Sequence, residues 1–141
     1  MMFIRLTPAF SVAAQIDAAD CAAASAQGFT AIVCNRPDGE SPGQPEAAEI
    51  AAAAQVAGLD FVHIPVDSSG IDDAQIAAMA AVLGQGPVLA YCRSGTRSTN
   101  LWALAEASRG GDADAIAAAA ATGGYDVSGM LPYLRSLAKQ G

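Results

Sequence analysis

The chain has 141 residues, with 14 acidic and 7 basic side chains, one histidine, three cysteines and a net charge of −7. That balance argues against nucleic acid or an anionic membrane as a partner, and a lone histidine with scattered Cys21, Cys34 and Cys92 argues against a metal site or a disulfide framework. No apolar run reaches membrane length, and Met1-Met2-Phe3-Ile4-Arg5-Leu6-Thr7-Pro8 lacks a basic start before a long apolar stretch. The expectation is one domain over residues 1–141, cytoplasmic, without cofactor or metal.

Strands and helices alternate along the chain. Phe10 to Gln15 reads as a first strand, and Asp17 as the cap of a helix closed by Gly28. Thr30-Ala31-Ile32-Val33-Cys34 is a compact apolar strand, followed by a Pro- and Gly-rich loop from Asn35 to Gln44. Pro45 opens a helix that runs to about Ala57. Leu59 to Pro65 is the next strand, Asp72 or Asp73 caps the next helix, and Pro87 to Tyr91 is the central strand. Helices from Ser98 to Ser108, Asp112 to Ala121 and Gly129 to about Lys139 complete the chain. This alternation predicts an α/β fold of three layers, a mostly parallel sheet flanked by helices. Ligands in such sheets bind beyond the carboxyl ends of the strands, so the loops after Cys34, Pro65 and Tyr91 should converge.

The densest chemistry lies in Tyr91-Cys92-Arg93-Ser94-Gly95-Thr96-Arg97-Ser98. A strand ending in cysteine, a tight glycine loop, an arginine and a helix start together make an anion cradle. Backbone N–H groups, the positive helix end and the Arg97 fork all favour a thiolate, which makes Cys92 a candidate nucleophile. Ser94, Gly95 and Thr96 are expected to turn backbone N–H groups inward, with Gly95 supplying the tight turn. Arg93 adds field at the mouth, and Ser98 caps the helix or donates to the sulfur. Arg93, Arg97 and Arg109 against Glu106 make residues 86–111 cationic in an acidic chain, which suits a small anionic substrate. Arg36 either extends that pocket or pairs with Asp38 or Glu40. Asp67, on the loop after His63-Ile64-Pro65-Val66, is the best placed upstream acid to protonate a leaving oxygen; the alternative is an aspartate bonding its own turn. His63, Cys34 and Cys21 read first as packing residues, although Cys34 ends its strand on the same edge as Cys92 and is a potential resolving thiol. Residues 112–124 suggest no function.

Four residues separate Cys92 from Arg97. Protein tyrosine phosphatases have five at this point, whereas single-domain rhodaneses resemble Cys-Arg-Ser-Gly-x-Arg-Ser, with four. Leu6-Thr7-Pro8, Phe10-Ser11-Val12, Cys34-Asn35-Arg36-Pro37-Asp38-Gly39-Glu40, His63-Ile64-Pro65-Val66 and the cradle together resemble the bacterial phosphatase-like domain found in beta-lactamase-hydrolase-like proteins. The resemblance spans roughly residues 3–110. It implies a protein-tyrosine-phosphatase-like fold of the dual-specificity type, with Cys92 as nucleophile and Arg97 as anion binder.

Three functions fit these residues. The first is a sulfurtransferase that holds a persulfide on Cys92 and takes its sulfur from a sulfane donor. The second is a cysteine phosphatase working through phosphocysteine, with Asp67 as the acid. The third is a non-catalytic module that binds an oxyanion or a partner. The sequence leaves the oligomeric state open.

Overall fold

A computed structural model describes residues 2–140. Five strands, β1 (Ile4–Thr7), β2 (Phe10–Ala13), β3 (Ala31–Cys34), β4 (Asp60–His63) and β5 (Val88–Tyr91), form one sheet in the order β1-β2-β5-β3-β4. β2, β5, β3 and β4 run parallel, and β1 folds back antiparallel on β2. β3 and β5 are apolar and buried at every position, as strands covered on both faces must be. β1 is absent from the expected elements. It is a four-residue edge strand in which only Ile4 and Leu6 turn inward, too short a pattern to register as a strand.

The pleat sorts side chains between two cores. Ile32, Leu89 and Tyr91 meet α1 (Ala18–Ala26) and α2 (Ala47–Val56) on one face. Phe10, Val12, Val33 and Ala90 meet α3 (Asp73–Leu83), α4 (Thr96–Ser108), α5 (Ala113–Thr122) and α6 (Leu131–Gln140) on the other. Asp17 and Asp72 close capping boxes, and Asp112 caps α5, as expected. The start of α2 departs from expectation: it begins at Ala47, and the Asp38 carboxylate reaches across from the preceding loop to take the Ala47 N–H at 2.7 Å. The arrangement is the three-layer α/β fold with a mostly parallel sheet that the alternation of strands and helices predicts. Among the described residues, no helix is long and apolar enough to cross a membrane.

α4 is the most deeply packed helix, with Leu101, Trp102, Ala103, Leu104, Ala105 and Ala107 all buried. Trp102 stacks on Phe10 of β2, with ring centroids 5.2 Å apart and planes within 5°. This contact seats the helix that follows the cradle against the strand beside β5. Trp102→Ala should cost about 3–5 kcal/mol, read as a lowered urea midpoint.

Candidate functional site

β5 sits between β2 and β3, so the residue after it emerges at the middle of the sheet's carboxyl edge. That residue is Cys92, with no solvent exposure. Gly95 follows in the left-handed region at φ 92°, ψ −10°, and its N–H donates to Cys92 Sγ at 3.1 Å. The turn is held from behind by Thr99, whose N–H and hydroxyl both donate to the Gly95 carbonyl. Gly95 is itself the N-cap of α4, which starts at Thr96, so Ser98 lies inside the first turn and does not cap the helix.

α1, α2, α3 and α5 each carry an acidic residue in their first turn, and α4 carries none. Its positive end is left for the sulfur. Burial is the largest influence on the Cys92 thiol and pushes it up. The N–H groups of Ser98, Ser94 and Gly95, with the Ser98 hydroxyl, outweigh burial and bring the pKa below the ordinary 9.0. Thr96 is not among these donors; it is exposed, and its hydroxyl pairs with that of Ser94. Ser98 Oγ is fully buried and completes no hydrogen bond of standard geometry, so it acts on the sulfur at longer range.

Cys21 and Cys34 are shifted the other way, upward, chiefly by burial. Cys34 reaches the same sheet edge, but it shares the α1/α2 face with Tyr91 and donates to the Arg36 carbonyl at 3.4 Å. The two thiols lie near enough that charge on Cys92 adds to the upward shift of Cys34.

Arg97 is fastened from two other loops. Its Nη1 donates to Glu40 Oε2 at 2.7 Å and to the Val66 carbonyl at 2.8 Å, and its Nη2 donates to Glu40 Oε1 at 2.8 Å. A guanidinium has five N–H donors, and these bonds use three. The two left, on Nε and Nη2, form a second fork on one edge, and Arg97 stands close enough to Cys92 to interact with its sulfur. Arg36 is buried and does not extend the pocket. Its three nitrogens donate to Glu40 at 2.9 Å, Gln15 at 3.0 Å and Ser41 at 3.0 Å. Glu40 therefore bridges two arginines, a role the sequence reading did not give it. The signal was Arg36-x-x-x-Glu40 on the loop after the strand beside β5.

Arg93 is exposed and forms no ion pair among the described residues. Asp67 lies beside Arg97 in the wall of a shallow groove with Ile71, Leu104, Met130 and Tyr133. Its carboxylate accepts from the Ser69 hydroxyl and N–H, and these bonds hold it below the ordinary carboxylate range. As it stands, Asp67 closes its own turn with Ser69, one of the two arrangements expected for it. His63 is exposed, with Nε2 3.1 Å from the Arg36 carbonyl.

Hydrogen bonds from Arg97, opposed by burial and reinforced by those from Arg36, bring the Glu40 pKa from 4.5 to about 2. A depressed carboxylate stabilises the fold above its unfolded pKa and loses that contribution as the pH falls through the folded value. The stability gap between the native protein and Glu40→Gln should therefore close between pH 4.5 and about 2, measured by denaturant midpoints along that range. With the Glu40 side chain 28% exposed, screening keeps the gap modest.

A family model described as the beta-lactamase hydrolase-like protein, phosphatase-like domain, matches residues 2–109. A beta-lactamase hydrolase-like protein of Agrobacterium fabrum is 41% identical over 109 residues, covering 76% of this chain and 25% of that protein. The chain thus spans about a quarter of the length of the curated relatives it matches. A phosphatase candidate from Neisseria meningitidis, solved by crystallography, superposes with a TM-score of 0.79 at 32% identity, covering 97% of this chain and 99% of that one. Kinase-associated phosphatase, solved with its catalytic-site cysteine changed to serine, superposes with a TM-score of 0.69 at 15% identity, covering 98% and 93%, a likeness of fold alone.

Proposed function

The chain belongs to the phosphatase-like domain family of beta-lactamase hydrolase-like proteins, and from that membership and the geometry of the cradle we propose that it is a cysteine-dependent phosphatase acting on small phosphomonoesters. The observation that carries this reading is a buried Cys92 whose pKa is lowered, facing a guanidinium that keeps one fork free. The Cys92 thiolate attacks phosphorus, an S–P bond forms, and the P–O bond to the leaving group breaks. Water then attacks phosphocysteine, the S–P bond breaks, and phosphate leaves with the thiolate restored. The Arg97 fork and the N–H groups of the cradle hold the phosphoryl oxygens through both steps. Ser98 donates to the sulfur as it departs, and Arg93 draws the anion to the mouth.

With Asp67 tied to Ser69, the leaving oxygen takes its proton from water. Esters of acidic alcohols, such as aryl phosphates, are then the preferred substrates, and alkyl phosphates react slowly. Kinase-associated phosphatase and the Neisseria protein are phosphatases or phosphatase candidates by description, and sulfur transfer finds no such support among the similar proteins. One observation favours sulfur transfer as a second reading. The cradle is a residue shorter than a phosphatase loop, and a persulfide needs no proton donor.

Aryl phosphate and thiosulfate, each offered beside Cys92→Ser, separate the two readings. Phosphate release should be lost by at least about 1,000-fold in Cys92→Ser, scale steeply with leaving-group acidity, and change less than about threefold in Asp67→Asn. A single added sulfur on Cys92, seen by intact mass after thiosulfate and without phosphate release, would replace the phosphatase reading with sulfur transfer.

A further inference from the structure

α5 ends in two glycines. Gly123 lies against β1, where an added Cβ would fall 2.3 Å from a Leu6 methyl, and Gly124 turns at φ 91°. The Tyr125 N–H bonds back to the Ala120 carbonyl at 3.0 Å, closing the helix and sending the next side chain toward the cradle. Tyr125 is half-buried against the α3–α6 core. Its hydroxyl donates to the Ser94 carbonyl at 2.9 Å. Ser94 C=O and Gly95 N–H are the two ends of one planar peptide unit. One end is bound by Tyr125, and the other donates to Cys92 Sγ at 3.1 Å.

We propose that Tyr125 is a positioning residue of the cradle, holding the Ser94–Gly95 peptide in the one orientation that aims its N–H at Cys92. Gly95 is the reason such a clamp is needed. A glycine tolerates φ of either sign, so rotation of this peptide about its flanking bonds meets little resistance. Rotated, the unit would present a carbonyl dipole to the sulfur and to any bound anion, repelling both. A second observation ties the same pair together. A Cβ on Gly95 would lie 2.2 Å from the Tyr125 hydroxyl, so the loop and the ring are in direct contact. Tyr125 also feels the sulfur: burial first, then the charge of Cys92, pushes its phenol pKa up. The segment from Asp112 to Tyr125 lies beyond residue 109, where the family match stops.

The proposal rests on the reading of Cys92 as the reactive thiolate, and its test does not depend on the reaction catalysed. The ultraviolet absorbance of the Cys92 thiolate is followed against pH as the difference from Cys92→Ser, in the native protein and in Tyr125→Phe. Tyr125→Phe keeps the ring and removes one oxygen, and its thermal melt verifies folding. The Cys92 midpoint should rise by about half to one pH unit, the worth of one hydrogen bond. Phosphate affinity should fall with it. An unchanged Cys92 midpoint, with or without a lowered melting temperature, overturns the proposal and leaves Tyr125 a packing residue. A raised midpoint in a protein that releases no phosphate sustains the clamp and removes the phosphatase reading.

Discussion

A sulfur atom with no solvent contact cannot hold a negative charge unless the protein replaces the water it has lost. At Cys92 that replacement comes from backbone, and backbone donors are available only where a chain turns without completing its own hydrogen bonds. The end of β5 and the start of α4 supply such a place. A central parallel strand delivers the cysteine to the middle of the sheet edge. A left-handed glycine bends the loop around it, and a helix with no acid in its first turn points its free N–H groups back. The deep seating of α4, with Trp102 stacked on Phe10, keeps that helix end where the sulfur needs it.

The arginines act through geometry more than through net charge. Glu40 neutralises part of the field of Arg36 and Arg97, yet it fixes which edge of Arg97 faces the cradle. Arg36, spent on Glu40, Gln15 and Ser41, becomes a strut between the loop after β3 and the segment after β2. The Val66 carbonyl adds an anchor from the loop after β4. Three loops from three strands thus converge on one guanidinium, which makes its orientation a property of the whole sheet edge. In the phosphatase proposed here, a few aimed donors, more than the cationic region as a whole, would select a small anion.

The sequence made the parallel sheet legible because β3 and β5 are unbroken apolar runs and each crossover helix has a cap and a stop. The candidate nucleophile and its arginine stood out for the same reason: Cys92, Gly95 and Arg97 lie in one short segment whose local backbone does most of the work. β1 escaped because a four-residue edge strand carries too little pattern. Of the two roles open to Ser98, the cap fell away because α4 starts at Thr96 with Gly95 as its N-cap, a residue with no side chain to advertise it. For Asp67 the sequence offered an acid or an aspartate bonding its own turn, and the turn with Ser69, two residues on, is what the fold builds. Arg36 gave no sign that it would be buried.

By itself, then, the sequence determined the class of fold and singled out Cys92 and Arg97 as the candidate site, since each depends on neighbours within a few residues. Tertiary structure decided what depends on distant partners. It assigned Glu40 to Arg97, 57 residues away, and brought Tyr125 to Ser94, 31 residues away. Such pairings arise from how strands are ordered and how helices cross the sheet, and no local pattern of residues encodes them.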